Sequence, residues 1–164
     1  MVRFSIPSED LFHVSSLNGK YLTFTILGDP MAKPRPALGR HGIMYNPSAR
    51  DEKQFKLIVN QMLKDCLTNI PTFPKHASLH VAVHYFFPIP QSAHTTPESI
   101  RASLHAKGDI DNFLKFTLDA LSCDRKNSPV IIQDDRQIVT VTSTKHALTH
   151  AREGHTTITI QIVE

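Results

Sequence analysis

The sequence predicts an α+β domain. Three observations lead there. Two stretches carry apolar residues at helical spacing, four carry the period-2 alternation of strands, and the two kinds interleave as β-α-β-α-β-β. That order favours two main helices packed on one mixed, mainly antiparallel sheet. A chain of 164 residues, 40% apolar and 20% charged, is long enough to bury a core and has an ordinary globular composition.

Residues 1–19 show no clear period and are expected to form an extension, with the domain running from 20 to 164. "YLTFTILG" then sets Leu22, Phe24 and Ile26 against Tyr21, Thr23 and Thr25, the pattern of a half-buried strand. "DPMAKPRPALGRHGIMYNPS" contains four prolines and two glycines and reads as loop. Between Asp29 and Asp51 this segment carries Lys33, Arg35, Arg40 and Arg50 and no acid.

A helix opens after Pro47 and Ser48, with Asp51 placed three residues on as in a capping box. Phe55, Ile58, Val59, Met62, Leu63 and Cys66 recur at helical spacing until Pro71. "ASLHVAVHYFFPIP" is a strand with Leu79, Val81, Val83 and Tyr85 on one face and His80 and His84 on the other. Residues 89–108 read as a long polar connection, a length usually kept for function. The second helix follows in "KGDIDNFLKFTLDAL", with Ile110, Phe113, Leu114, Thr117, Leu118 and Leu121 on its buried stripe. Beyond the "CDRKNSP" break, an acidic turn leads into a strand alternating through Val139 and Val141. A last strand runs through Ile158, Ile160 and Ile162.

Bulk properties exclude several classes. The two cysteines, Cys66 and Cys123, sit in apolar helical patterns and give neither a disulfide framework nor zinc spacing. No apolar run reaches membrane-spanning length, and the N-terminus lacks the apolar stretch of a signal peptide. The expectation is an intracellular protein with no membrane partner. A net charge of +3 and a pI near 9.0 permit a polyanionic partner without requiring one.

The chemistry concentrates at Asp109 and Asp111. Two positions apart, they cannot share a face of a regular helix. If Asp109 is the N-cap, its backbone is non-helical and its carboxylate can turn toward Asp111, with Gly108 bending the chain into the helix. The simplest alternative is structural: one capping Asp and one Asp favoured by the helix dipole. Two further features argue for a site. Lys115 follows Asp111 by four residues and shares its face. Another acidic pair, Asp134 and Asp135, precedes a strand and could converge on the same spot. Such a cluster calls for a cation, and oxygen-only ligands suit Mg²⁺, with Mn²⁺ as a substitute. A lysine beside such an ion suits phosphoryl chemistry, where charge builds on phosphorus. Lys33, Arg35, Arg40, Arg101 and Lys107 are the candidate contacts for the bound polyanion, against the alternative of a solvated basic loop.

These same stretches resemble a known family. "KGDIDNFLKFTLDALS" followed by "IIQDDRQIV" is similar to the D-x-D-N-x-x-K helix start and D-D-x-Q turn of RusA-type Holliday junction resolvases. "GDPMAKPRP" with a following "YNP" resembles their early loop, and the likeness extends over roughly residues 21–163. The resemblance implies a Mg²⁺-dependent endodeoxyribonuclease that resolves four-way DNA junctions by paired nicks, acting as a homodimer without an organic cofactor. It places the metal ligands at Asp109, Asp111 and Asp135 and the catalytic lysine at Lys115, with Asp134 secondary. The "CDRKNSPVI" link and Arg136 depart from the family pattern. A catalytically silent branched-DNA-binding module and a less structure-selective nuclease are the alternative readings. The histidines do not support a zinc site, because His80 and His84 on one strand are about 13 Å apart.

Overall fold

Strand β2 (Tyr21–Leu27) buries Leu22, Phe24 and Ile26 and leaves its threonines half-exposed, as its alternation predicts. β5 (Ser78–Pro88) does the same with Leu79, Val81, Val83, Tyr85 and Phe87, and β7 (His155–Val163) with Ile158 and Ile160. These strands pair edge to edge in one sheet, and their apolar faces together become the floor of the core. The structure is a computed structural model that describes residues 15–17, 20–66, 73–93, 96–122 and 131–163, with only the backbone of 15–17 and of Cys66. Cys123 lies outside the described residues, as does most of the 123–131 link.

The main sheet has the order β1-β2-β7-β5-β6, where β1 is Ser15–Leu17 and β6 is Ile138–Leu148. All neighbouring pairs are antiparallel except β5 and β6, which run parallel in the register Leu79↔Ile138 to Pro88↔Leu148. β1 falls within the stretch expected to be an extension and adds an edge strand to β2. The last strand in sequence, β7, is thus central, and β6 lies at the other edge.

Helix α1 (Ala49–Cys66) and helix α3 (Ile110–Leu121) cover the apolar face. Phe55 of α1 meets Phe116 of α3 edge-on at 5.8 Å, and Phe113 packs against Tyr85 and Phe87 at 5.5 and 5.2 Å. The buried stripe of α3 is Phe113, Phe116, Thr117, Ala120 and Leu121, so Phe116 and Ala120 join it while Leu114 and Leu118 are only partly covered. Beneath α3 the Tyr85 hydroxyl meets Thr117 Oγ1 at 2.9 Å, which satisfies two buried polar groups at once. At the start of α1, Ser48 Oγ donates to Glu52 at 2.6 Å, which brings Glu52 into the N-terminal motif.

Three elements depart from the sequence expectation. A nine-residue helix α2 (Pro97–His105) occupies the expected polar loop. Its signal is local: Thr96 is the N-cap and accepts from the Ser99 N–H, and Pro97 takes the first helical position. None of its side chains is fully buried and only Leu104 packs partly against the core, which is why no apolar period announces it. The basic loop contains a small hairpin of β3 (Ala37–Leu38) and β4 (Met44–Tyr45). Val141 of β6 is in register with buried Val81 yet 41% exposed, and Val139, at the register irregularity before it, is 55% exposed, because β6 is the sheet edge.

Candidate active site

Gly108 and Lys145 fix where α3 begins. Gly108 sits at φ +107, a conformation that side chains disfavour. Lys145, on β6 in register with Tyr85, reaches across and donates to the carbonyls of Leu104 and Gly108 at 3.0 and 2.8 Å. One ammonium therefore ties the end of α2 to the residue before Asp109. Nothing in the sequence pattern singled out Lys145, because its partners are backbone atoms distant along the chain.

Asp109 is the N-cap of α3, with extended backbone at φ −77, ψ 137, as its place before the helix predicts. Its carbonyl accepts from the Asn112 N–H, but its carboxylate makes no capping hydrogen bond. The structural explanation for this Asp, a side-chain cap, therefore fails. Asp111 and Lys115 are both exposed one turn apart on α3. Among the described residues neither forms a side-chain hydrogen bond or ion pair, and the i, i+4 pair stays open. The result is two ionisable carboxylates and one ammonium at a helix start, all unengaged and facing solvent. The positive end of the helix favours ionised acids there.

Asp135 stands elsewhere. It belongs to a 3-10 turn, Asp135–Gln137, that leads into the first residue of β6. Gln137 bonds the carbonyls of Pro74 and Ala77 just before β5. Asp109 lies at the opposite end, beside Gly108 and Lys145. From Ile138 to Lys145 the strand rises about 23 Å at roughly 3.3 Å per residue. Within one chain Asp109 and Asp111 share the start of α3, and Asp135 lies at the other end of β6. Accordingly, the described residues contain no group of three or more His, Cys, Asp or Glu side chains able to hold a metal ion. Asp134 is occupied: it caps the turn and pairs with Arg136 at 2.7 Å. The Arg136 guanidinium holds its carboxyl far below the usual carboxylate range.

The basic residues divide as well. The Lys33 N–H donates to the Asn112 carbonyl, which lays the loop along the first turn of α3. Its ammonium, however, pairs with Asp119 on α3 and with Glu52 on α1 at 3.2 Å, two residues that sequence reasoning did not select. Lys33 is a strut between helices. Arg35, Arg40 and Arg101 are exposed. Lys107 is half-buried, with its ammonium 5.8 Å from the centre of the Phe87 ring.

The site is thus an open acidic helix start, flanked by a basic loop and a helix bearing an exposed arginine. A family model described as Endodeoxyribonuclease RusA matches residues 28–162, most of the chain. This protein belongs to the RusA endodeoxyribonuclease family. The matched span runs from the end of β2 to the end of β7 and includes Asp109, Asp111, Lys115 and Asp135. No curated protein matches the chain. No helix among the described residues is long and apolar enough to cross a membrane.

Two unengaged carboxylates, with open solvent around them, fit the donor set of Mg²⁺. That ion takes one or two carboxylates and fills its remaining positions with water and substrate phosphate.

Proposed function

We propose that this RusA-family protein is an intracellular, Mg²⁺-dependent endonuclease that nicks four-way DNA junctions as a homodimer. The observation that carries the reading is the pair of unengaged carboxylates, Asp109 and Asp111, one turn from an unpaired Lys115 in a member of an endodeoxyribonuclease family. Asp109 and Asp111 would hold the ion. When bound, Mg²⁺ supplies positive charge at the scissile phosphate and makes water a better nucleophile. Lys115 donates to the non-bridging oxygens, where negative charge accumulates in the transition state. Arg35, Arg40 and Arg101 hold the DNA backbone on either side.

The position of Asp135 favours assembly. Since Asp135 cannot reach Asp109 in its own chain, it completes the acidic set from a second copy. Two such sites per dimer match the two opposed strands of a two-fold junction.

The test is cleavage of a labelled four-way junction beside matched duplex and flap, with Mg²⁺ or EDTA. Paired nicks confined to the junction are expected. EDTA abolishes them, and Asp111→Asn and Lys115→Ala lower the rate at least about 100-fold while binding persists. Binding without cleavage under Mg²⁺ or Mn²⁺ would instead make the protein a silent junction-binding module. Mixing Asp111→Asn with Asp135→Asn protein tests the shared site. Heterodimers regain one intact site only if the acids come from two chains.

A further inference from the structure

The β3–β4 hairpin exposes four large apolar side chains: Leu38, Ile43, Met44 and Tyr45 are 69%, 70%, 60% and 53% accessible. They do not share a face. The register pairs Leu38 with Met44 and Ala37 with Tyr45. Cross-strand partners lie on one face and sequence neighbours on opposite faces. Leu38 and Met44 therefore line one side and Tyr45 the other, with Ile43 exposed just before β4. A hairpin laid on a flat surface needs one apolar face. A hairpin apolar on both faces is satisfied only when it is enclosed from both sides.

Its tip and root restrict what encloses it. The tip is Arg40 and His41, held by hydrogen bonds from the Gly39 N–H to the Ile43 carbonyl and from the Gly42 N–H to the Gly39 carbonyl. Gly42 at φ +72 provides the turn. The segment from residue 30 to residue 50 contains no acid, and Lys33 is already neutralised by Asp119 and Glu52. What remains is a cationic tip on a two-sided apolar blade. Its root is pinned to the first turn of α3 through the Lys33–Asn112 hydrogen bond, beside Asp111.

We propose that this hairpin inserts between base pairs at the branch point of the DNA. Arg40 and His41 meet the flanking phosphates, and the two apolar faces stack on the nucleobases to either side. The inference rests on the endonuclease reading and adds to it the element that recognises the branch. Nucleobases have apolar faces and anionic backbones, the combination this blade complements.

The experiment uses a four-way junction carrying 2-aminopurine at the branch point and a duplex carrying it in the same sequence. Each is titrated with wild type and with the Ile43→Ser/Met44→Ser variant in EDTA. Wild type is expected to raise the junction signal several-fold and leave the duplex unchanged. The variant, with unchanged circular dichroism, loses that rise and about tenfold in junction affinity, while duplex affinity changes less than about threefold. An undiminished rise in the variant overturns the proposal. So does a variant that turns from dimer to monomer by light scattering, because the hairpin then belongs to a second copy. Wild type that cuts junctions without any rise sinks the hairpin role alone. Wild type that neither binds nor cuts them sinks the endonuclease reading with it.

Discussion

Replacing Lys33 by Met separates a strut from a phosphate contact. The ammonium bridges Glu52 on α1 and Asp119 on α3, with side-chain exposures of 18% for Lys33, 17% for Glu52 and 42% for Asp119. An exposed pair contributes under about 1 kcal/mol, and breaking a fully buried one costs about 3–5 kcal/mol. Here Asp119 is already wet, and Glu52 keeps its hydrogen bonds from Asn46 and Ser48. The loss should therefore be about 1–2 kcal/mol, or a melting temperature lower by about 2–8 °C for a chain of this size. Methionine retains the apolar stem, so the deficit belongs to the charge. A double-mutant cycle with Asp119→Asn should return a coupling of about 1 kcal/mol. The pH dependence follows from the same bridge. Burial pushes the Glu52 carboxyl up, but hydrogen bonds from Asn46, Ser48 and Lys33 outweigh it and leave it lowered. Its contribution is present above about pH 4.5 and lost as pH falls through the lower folded value. Burial likewise pushes Lys33 down, and its bonds to Asp119 and Glu52 leave it raised; that contribution holds below 10.5 and disappears above. If Lys33→Met melts with wild type yet lowers the salt slope of DNA binding by about one unit, Lys33 holds a phosphate and the strut assignment is wrong.

Two further outcomes are expected. Gly154→Ala should destabilise by about 2–4 kcal/mol in urea unfolding, because its Cβ would stand 2.7 Å from the Phe86 carbonyl and 2.8 Å from Asp29 Oδ1. A change within about 0.5 kcal/mol would show that the β6–β7 turn shifts freely. On the open sheet face, burial and then the neighbouring His84 lower the His146 pKa, and burial and then His146 lower that of His155. Both have folded pKa values below 6.5, so their contribution is present above 6.5 and lost as pH falls through the folded values. Unfolding midpoints measured on either side of pH 6.5 should differ in wild type and converge in a His146→Gln/His155→Gln variant. Identical wild-type midpoints would remove the effect.

The sequence made local order legible and long-range order largely not. The alternation of Leu22, Phe24 and Ile26 and the spacing of Phe55, Val59 and Met62 reflect one chain segment against one core, and the structure follows them closely. Asp109 at the N-cap is equally local. By contrast, the separation of Asp135 from Asp109 follows from strand order. Only the parallel pairing of β6 with β5 sends the acidic turn to the far end, and no local pattern encodes that pairing. The Lys33 bridge is illegible for a related reason: a basic loop looks the same whether its ammonium meets DNA or two carboxylates on distant helices. α2 carried a legible start in Thr96 and Pro97, but only Leu104 packs against the core and no side chain is fully buried, so it lacks the period that usually confirms a helix.

The central place of β7 bears on how the molecule is made. Before β7 is synthesised, the described strands of the main sheet can pair only as two separate halves, β1 with β2 and β5 with β6. Each then presents a bare inner edge to the other. On a ribosome adding about 5–20 residues per second, those edges wait exposed until the last strand arrives. A protein shortened before His155 would be two half-sheets around an empty slot. A free peptide with the β7 sequence could fill that slot by strand addition, pairing with Thr23 and Phe24 on one side and with Val81 and Val83 on the other.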